Sequence, residues 1–292
     1  MIFAETPYQS GPMWGATKGD QGPKVEVIRS STNLVDIFVT VKEGNRFVNG
    51  LTLDSFEVYE DGVAQQLAFF EAEDSPVSVA ILLDTSSSMQ KAIGTLQTAA
   101  VKFVEGLSDK DEATVISFGG MIKELSPLTR NKERLSSVIR QTYADGDTLL
   151  YDAITSAIFK LEGARGRRAI VLITDGADTA SQLSAESVIR VSGRMAVPVF
   201  IVGEGDALKE VQLRKSLEVL AASTGGQAFF LKEAQQLPRA FGEISANLKA
   251  SYRTGYYLKS PTDGKWHKIS ITLKGSKGKV IARQGYYAKA KY

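Results

Sequence analysis

The residues of this 292-residue chain best suited to chemistry are Asp84, Ser86 and Ser88. An apolar, partly β-branched run, Val77-Ser78-Val79-Ala80-Ile81-Leu82-Leu83, ends on Asp84, and the two serines follow at the second and fourth positions after it. The run lacks polar alternation, which predicts a strand buried on both faces of a parallel sheet. Asp84 then stands at the carboxyl end of that strand, where ligands bind in open α/β sheets. Ser86 and Ser88 project hydroxyls from the turn that leads into a helix. A carboxylate and two hydroxyls converging at a strand end make a small site of hard oxygen ligands, suited to a hard cation such as magnesium.

Other chemistries find little support. There is no cysteine, which removes disulfides, thiol catalysis and cysteine-zinc sites together, although it does not fix the compartment. A hydrolytic triad needs histidine, and His267 is the only one. It shares the parity of Ile269 and Ile271 in a β-rich tail, which reads as a partly buried structural residue. No phosphate-binding Gly-x-x-x-x-Gly-Lys-Ser/Thr loop is present. Gly275-Ser276-Lys277-Gly278-Lys279 falls in an expected hairpin turn. A phosphotransferase with a strand-end aspartyl nucleophile would want a second acid where Ser86 stands. The formal net charge is only +2, so no strong field attracts nucleic acid. The basic run Arg165-Gly166-Arg167-Arg168 lacks the interleaved aromatics of a single-strand binder. No stretch reaches the roughly 18 to 20 apolar residues of a membrane span. The start, Met1-Ile2-Phe3-Ala4-Glu5, lacks the pattern of a signal peptide.

The elements that must position the site follow from the hydrophobic periodicity. Residues 1–23, rich in Gly and Pro, read as a flexible leader. Residues 24–75 carry four short strands, with Val35-Asp36-Ile37-Phe38-Val39-Thr40-Val41 apolar at every odd position and turn signals at Asn49-Gly50 and Asp61-Gly62. From 76 to 250 strands and helices alternate: buried strands at 77–83, 114–118, 169–174, 198–203 and 228–231, an edge strand at 121–125, and helices at 90–107, 131–142, 151–161, 184–196, 209–222 and 234–250. That alternation implies right-handed crossovers and a doubly wound, mostly parallel α/β sheet. Residues 251–292 return to three strands with turns at Asp263-Gly264 and Gly275–Gly278. Neither terminal set can bury its apolar face alone. Together they predict one immunoglobulin-like β-sandwich of about seven strands, discontinuous in sequence, with the α/β domain inserted in it.

The stretch Asp84-x-Ser86-x-Ser88 resembles the metal-ion-dependent adhesion site (MIDAS) of the von Willebrand factor type A (VWA) domain. Two further pieces of that family's pattern are in order along the chain. Asp145-Gly146-Asp147-Thr148-Leu149-Leu150-Tyr151-Asp152 looks like the family's threonine loop, with Thr148 in the metal-binding place. Ala169-Ile170-Val171-Leu172-Ile173-Thr174-Asp175-Gly176 looks like the strand ending on the family's second aspartate, Asp175. Ser87 stands where many relatives carry glycine, and Asp147 stands beside Thr148 where a small residue is frequent. The resemblance extends to the bacterial "VWFA-related domain" proteins through Gly50–Gly62 and the terminal Arg283-Gln284-Gly285-Tyr286-Tyr287.

The resemblance implies the same doubly wound fold and a Mg2+ site, with Mn2+ or Ca2+ as substitutes. Its ligands would be Asp84, Ser86, Ser88, Thr148 and Asp175. Asp147, beside Thr148, would add negative charge near the metal, and Asp178, three residues past Asp175, reads either as a residue behind the ligands or as a solvated loop acid. Two acids balance one divalent cation, and the neutral hydroxyl ligands leave it electrophilic. The implied function is cation-dependent capture of an Asp or Glu on a partner protein, not bond cleavage. The second reading is an assembly or scaffold factor that recruits an enzyme or chaperone, with or without metal. The first reading places the protein outside the cytoplasm, secreted, periplasmic or at the cell surface, with a signal or anchor outside this sequence. A cytoplasmic location is compatible with the second.

Overall fold

The computed structural model describes residues 34–72, 76–164, 166–232, 236–258, 263–275 and 277–288. The expected leader over 1–23 lies outside them. In chain order the elements are β1 (Leu34–Glu43), β2 (Arg46–Phe47), β3 (Phe56–Glu60), β4 (Val63–Gln65), β5 (Leu67–Glu71), β6 (Val77–Asp84), α1 (Ile93–Gly106), β7 (Glu112–Phe118), β8 (Ile122–Thr129), α2 (Lys132–Arg140), α3 (Leu150–Lys160), β9 (Arg167–Thr174), α4 (Ala185–Met195), β10 (Val199–Gly203), α5 (Asp206–Lys209), α6 (Val211–Thr224), β11 (Ala228–Phe230), α7 (Leu237–Lys249), β12 (Tyr252–Tyr257), β13 (Trp266–Leu273), β14 (Lys279–Ala282) and β15 (Gly285–Tyr287). Among the described residues no helix is long and apolar enough to cross a membrane.

The middle of the chain builds a six-stranded sheet in the order β11-β10-β9-β6-β7-β8. All its pairings are parallel except β7 with β8, which forms the antiparallel edge. Every residue of β6 is buried, as its unbroken apolar run requires of a central strand covered on both faces. Alternate residues feed two cores. Val79, Ile81 and Leu83 pack with Leu96, Phe103 and Phe241 on one face. Ala80 and Leu82 pack with Ile154, Ile158 and Leu220 on the other. Local caps close the helices: the Ser184 hydroxyl accepts from Ser187 N at the start of α4, and Gly225 ends α6 in the left-handed conformation with φ 89°.

The two ends of the chain combine into two antiparallel sheets, β14-β1-β12-β5 with β2 on β1, and β15-β13-β3-β4. One hydrophobic cluster joins them, with Ile37, Val39, Tyr252 and Tyr256 from the first sheet and Phe56, Val58, Ile269 and Tyr286 from the second. Three expectations are corrected here. Asp263-Gly264 does not close a hairpin: β12 pairs with β1 and β5, whereas β13 pairs with β3 and β15. Tyr256 and Ile269 both face the shared cluster, so the two strands sit in opposite sheets. The chain likewise crosses back after β13, since β14 pairs with β1. The strand expected over 280–287 is two strands, broken at Arg283-Gln284, one in each sheet. The described terminal strands number nine rather than about seven, five before β6 and four after α7.

Candidate metal centre

The site stands where β6, β9 and β10 end and the loop before α3 returns to the sheet. Asp84 closes β6 with 0 % of its surface exposed. Its Oδ1 accepts from Ser86 N at 2.9 Å and its Oδ2 from the Thr174 hydroxyl at 2.5 Å. Burial raises its affinity for a proton above that of an ordinary aspartate, and the neighbouring Asp175 charge adds to the effect.

Ser86 opens a single 3-10 turn over Ser87–Lys91, which delays α1 to Ile93 where a helix from Gln90 was expected. A serine in that place ordinarily caps the turn with its hydroxyl. Ser86 makes no such bond. Its Oγ lies 2.9 Å from Ser88 Oγ, and Ser88 in turn donates to Asp175 Oδ1 at 2.8 Å. Because the Ser88 proton is used on Asp175, the Ser86 hydroxyl is the donor to Ser88. The result is a chain of oxygens from a buried residue, 2 % exposed, to the exposed Ser88.

Thr148 is 5 % exposed on the loop before α3. Backbone bonds clamp this loop from both sides. Ser87 N donates to Gly146 O at 2.9 Å and Asp145 N to Thr85 O at 2.7 Å, tying it to the serine turn. Thr148 N donates to the Thr179 hydroxyl at 2.9 Å, and Thr148 O accepts from Thr179 N and Ala180 N, tying it to the Asp175 loop. Gly146 takes φ 77°, and a Cβ there would meet the Gly120 backbone at 2.4 Å, so glycine is what lets the loop approach.

The remaining predicted acids are placed differently from one another. Asp147 is exposed beside Thr148. Asp178 receives Leu150 N at 2.8 Å on Oδ1 and Ser181 N at 3.3 Å on Oδ2, so it caps the start of α3. Asp152, in the first turn of α3, accepts from Gln182 N and Leu183 N.

Two residues near the site had no role assigned from sequence. Thr174 holds Asp84 through its hydroxyl. Glu204 follows β10, donates its backbone N–H to Thr174 O at 3.1 Å, and leaves Oε1 buried without a hydrogen-bond partner among the described residues. Burial, and then the Asp175 charge, push its carboxyl to higher proton affinity. The strand-end rule that singled out Asp84 applies equally to Glu204, one residue past a predicted buried strand.

The donors are all oxygen, and they include two neighbouring carboxylates, of which Asp84 is fully buried. Such a set fits a hard divalent cation and offers no nitrogen or sulfur that would favour a softer one.

The von Willebrand factor type A domain model matches residues 78–243, more than half the chain. No curated protein matches significantly. Among solved structures, a von Willebrand factor type A protein from Catenulispora acidiphila superposes with a TM-score of 0.53 at 14 % identity, covering 89 % of this chain and 75 % of its own. BatB, a conserved hypothetical protein from Bacteroides thetaiotaomicron, gives 0.50 at 18 % identity, covering 59 % and 98 %. The vWF domain of the type V pili tip protein Mfa5 from Porphyromonas gingivalis gives 0.50 at 13 % identity, covering 60 % and 95 %. At these identities the structural likeness concerns the fold, and the family match rests on the sequence itself. The chain belongs to the von Willebrand factor type A domain family.

Proposed function

We propose that the protein is an interaction module in which Asp84, Ser86, Ser88, Thr148 and Asp175 hold a divalent cation, magnesium first, and that an Asp or Glu of a partner protein completes the site. The observation that carries this reading is the hydroxyl chain from Ser86 through Ser88 to Asp175, formed where serine caps were the ordinary alternative. The bound cation would supply a Lewis-acidic centre with replaceable water. The side chains do the rest. Thr174 and Ser86 N fix the Asp84 carboxylate, Ser88 fixes Asp175, and the clamped loop holds Thr148. Asp147 and Glu204 add negative charge around the same strand ends. The cation, opposite in charge to the partner's carboxylate, is what makes the capture metal-dependent. The chemistry is binding and not bond cleavage.

Two wider assignments belong to the same reading. The paired terminal sheets act as an immunoglobulin-like sandwich carrying the VWA domain as an insertion over about 76–250. The fold likeness to a pilus-tip domain favours an extracytoplasmic surface as the place of action.

Manganese in place of magnesium tests the carboxylate step. Water-proton relaxation by the Mn2+-loaded protein should fall when an acidic peptide or glutarate displaces bound water, and a lysine-containing peptide should leave it unchanged. Relaxation that ignores carboxylates at saturating metal would refute capture of acidic partners.

A further inference from the structure

A second cluster of metal-ligating side chains lies in the terminal sheets. The β3–β4 hairpin turns on Asp61-Gly62, whose φ values of 48° and 84° are those of a two-residue type I′ turn. The turn is fastened to β13: Asp61 N donates to Lys268 O at 2.9 Å, and Lys268 N donates to Asp61 Oδ1 at 2.8 Å. Asp61 Oδ2 is thereby aimed at His267 Nδ1, 2.8 Å away. The imidazole stacks on Tyr286 with centroids 5.6 Å apart, and its Nε2 lies 3.1 Å from Asp263 Oδ1.

Glu60 completes the group from below. It is 8 % exposed, and its Oε2 accepts from the hydroxyls of Tyr256 at 2.5 Å and Tyr286 at 3.1 Å. Its Oε1 accepts no hydrogen bond among the described residues and points at Nδ1 from 3.7 Å. A proton on Nδ1 can serve only one of the two carboxylate oxygens facing it, and Asp61 takes it. The inner oxygen is then left beside the ring without a proton donor among the described residues.

We propose that Glu60 Oε1, Asp61 Oδ2 and His267 Nδ1 form a second divalent-metal site, of the zinc class, with Asp263 as the residue that positions the imidazole. A cation in place of the proton engages all three atoms at once. They lie within 4.8 Å of one another. Zinc bonds of about 2.0–2.2 Å place tetrahedral ligands roughly 3.3–3.6 Å apart, so small side-chain shifts close the shell. One imidazole with two carboxylates suits zinc better than magnesium, and two negative charges balance the ion. Nε2–H donated to Asp263 is the arrangement metal-bound histidines adopt, the second nitrogen being held by a carboxylate. The exposed side of Asp61 leaves a further position open to water.

The test is zinc titration of the full chain followed by calorimetry and by 15N spectra of its one imidazole. Wild type and Asp84→Ala should bind one zinc alike at this site, with Nδ1 shifted on binding and Nε2–H retained. His267→Gln and Asp61→Asn, the latter chosen because Asn tolerates the turn's positive φ, should lose that binding while circular dichroism shows the fold intact. Asp263→Asn should weaken it 10- to 100-fold. Zinc binding that leaves the imidazole signals unmoved, or survives His267→Gln, would overturn the proposal. So would an absence of binding in wild type, which would reduce the cluster to a histidine–carboxylate clasp.

Discussion

Asp84 bears a carboxylate with no exposed surface and a second acid nearby, so its charge is costly until a cation shares the site. Asp84→Asn keeps the shape and removes the charge. In EDTA this variant should unfold in urea within about 1 kcal/mol of wild type or above it, because the lost hydrogen-bond strength is offset by relief from burying a charge. Magnesium should then leave it unshifted. Ser88→Ala removes the link between Ser86 and Asp175 and, Ser88 being exposed, should cost the metal-free fold less than about 1 kcal/mol while weakening the magnesium effect. The placement of Asp84 at a buried strand end, with Ser86 and Ser88 on the turn after it, was legible in the sequence because a continuous apolar run ending on an acid states its own geometry. Thr174 and Glu204 were not. Thr174 matters because β9 lies beside β6 with Leu83 opposite Ile173, and Glu204 because β10 pairs Gly203 with Thr174. Those neighbours are set by sheet order, which no local pattern encodes.

At the level of elements, the loop before α3 is the part with least freedom. Gly146 and Gly163 share φ 77°, yet a Cβ on Gly146 would strike the Gly120 backbone while one on Gly163 meets nothing within 4 Å. Gly163→Ala should therefore cost about 1 kcal/mol from backbone strain alone. Gly146→Ala should cost clearly more and abolish the magnesium response by displacing Thr148. Comparing the two variants by thermal unfolding separates strain from steric exclusion. Asp178 caps the same helix, so Asp178→Ala should destabilise by about 1 kcal/mol. Helix and strand identities in the middle of the chain were readable from periodicity. The 3-10 turn at Ser87–Lys91 was not, because its shape follows from hydroxyls turned to Asp175 rather than to the backbone. The break at Arg283-Gln284 escaped for a related reason: period-two alternation reads the same through a change of sheet.

Across the whole molecule, two arginines join the α/β region to the terminal sheets. Arg167, at the start of β9, donates through Nη1 to Lys249 O at 3.1 Å and Ser251 O at 2.8 Å, where the chain leaves the α/β region. Arg283 lies buried between the sheets' crossover and α4, donating to Gly193 O and lying 5.5 Å from the Tyr286 ring. Arg283→Ala should destabilise the chain by about 2–3 kcal/mol, from the lost charged hydrogen bond and the lost packing of its stem. That the two chain ends would find each other was legible from their unpaired apolar faces. Which strands pair was not, since β1 meets β12 across more than 200 residues of chain. The central claim, a cation held by Asp84, Ser86, Ser88, Thr148 and Asp175, is tested most directly by thermal unfolding of wild type and Thr148→Ala with and without Mg2+. At about 100 times its dissociation constant the ion should stabilise wild type by roughly 2.7 kcal/mol, a shift of several degrees, and Thr148→Ala should lose it. An equal shift in both proteins, or none in either at millimolar magnesium, manganese and calcium, would contradict the account.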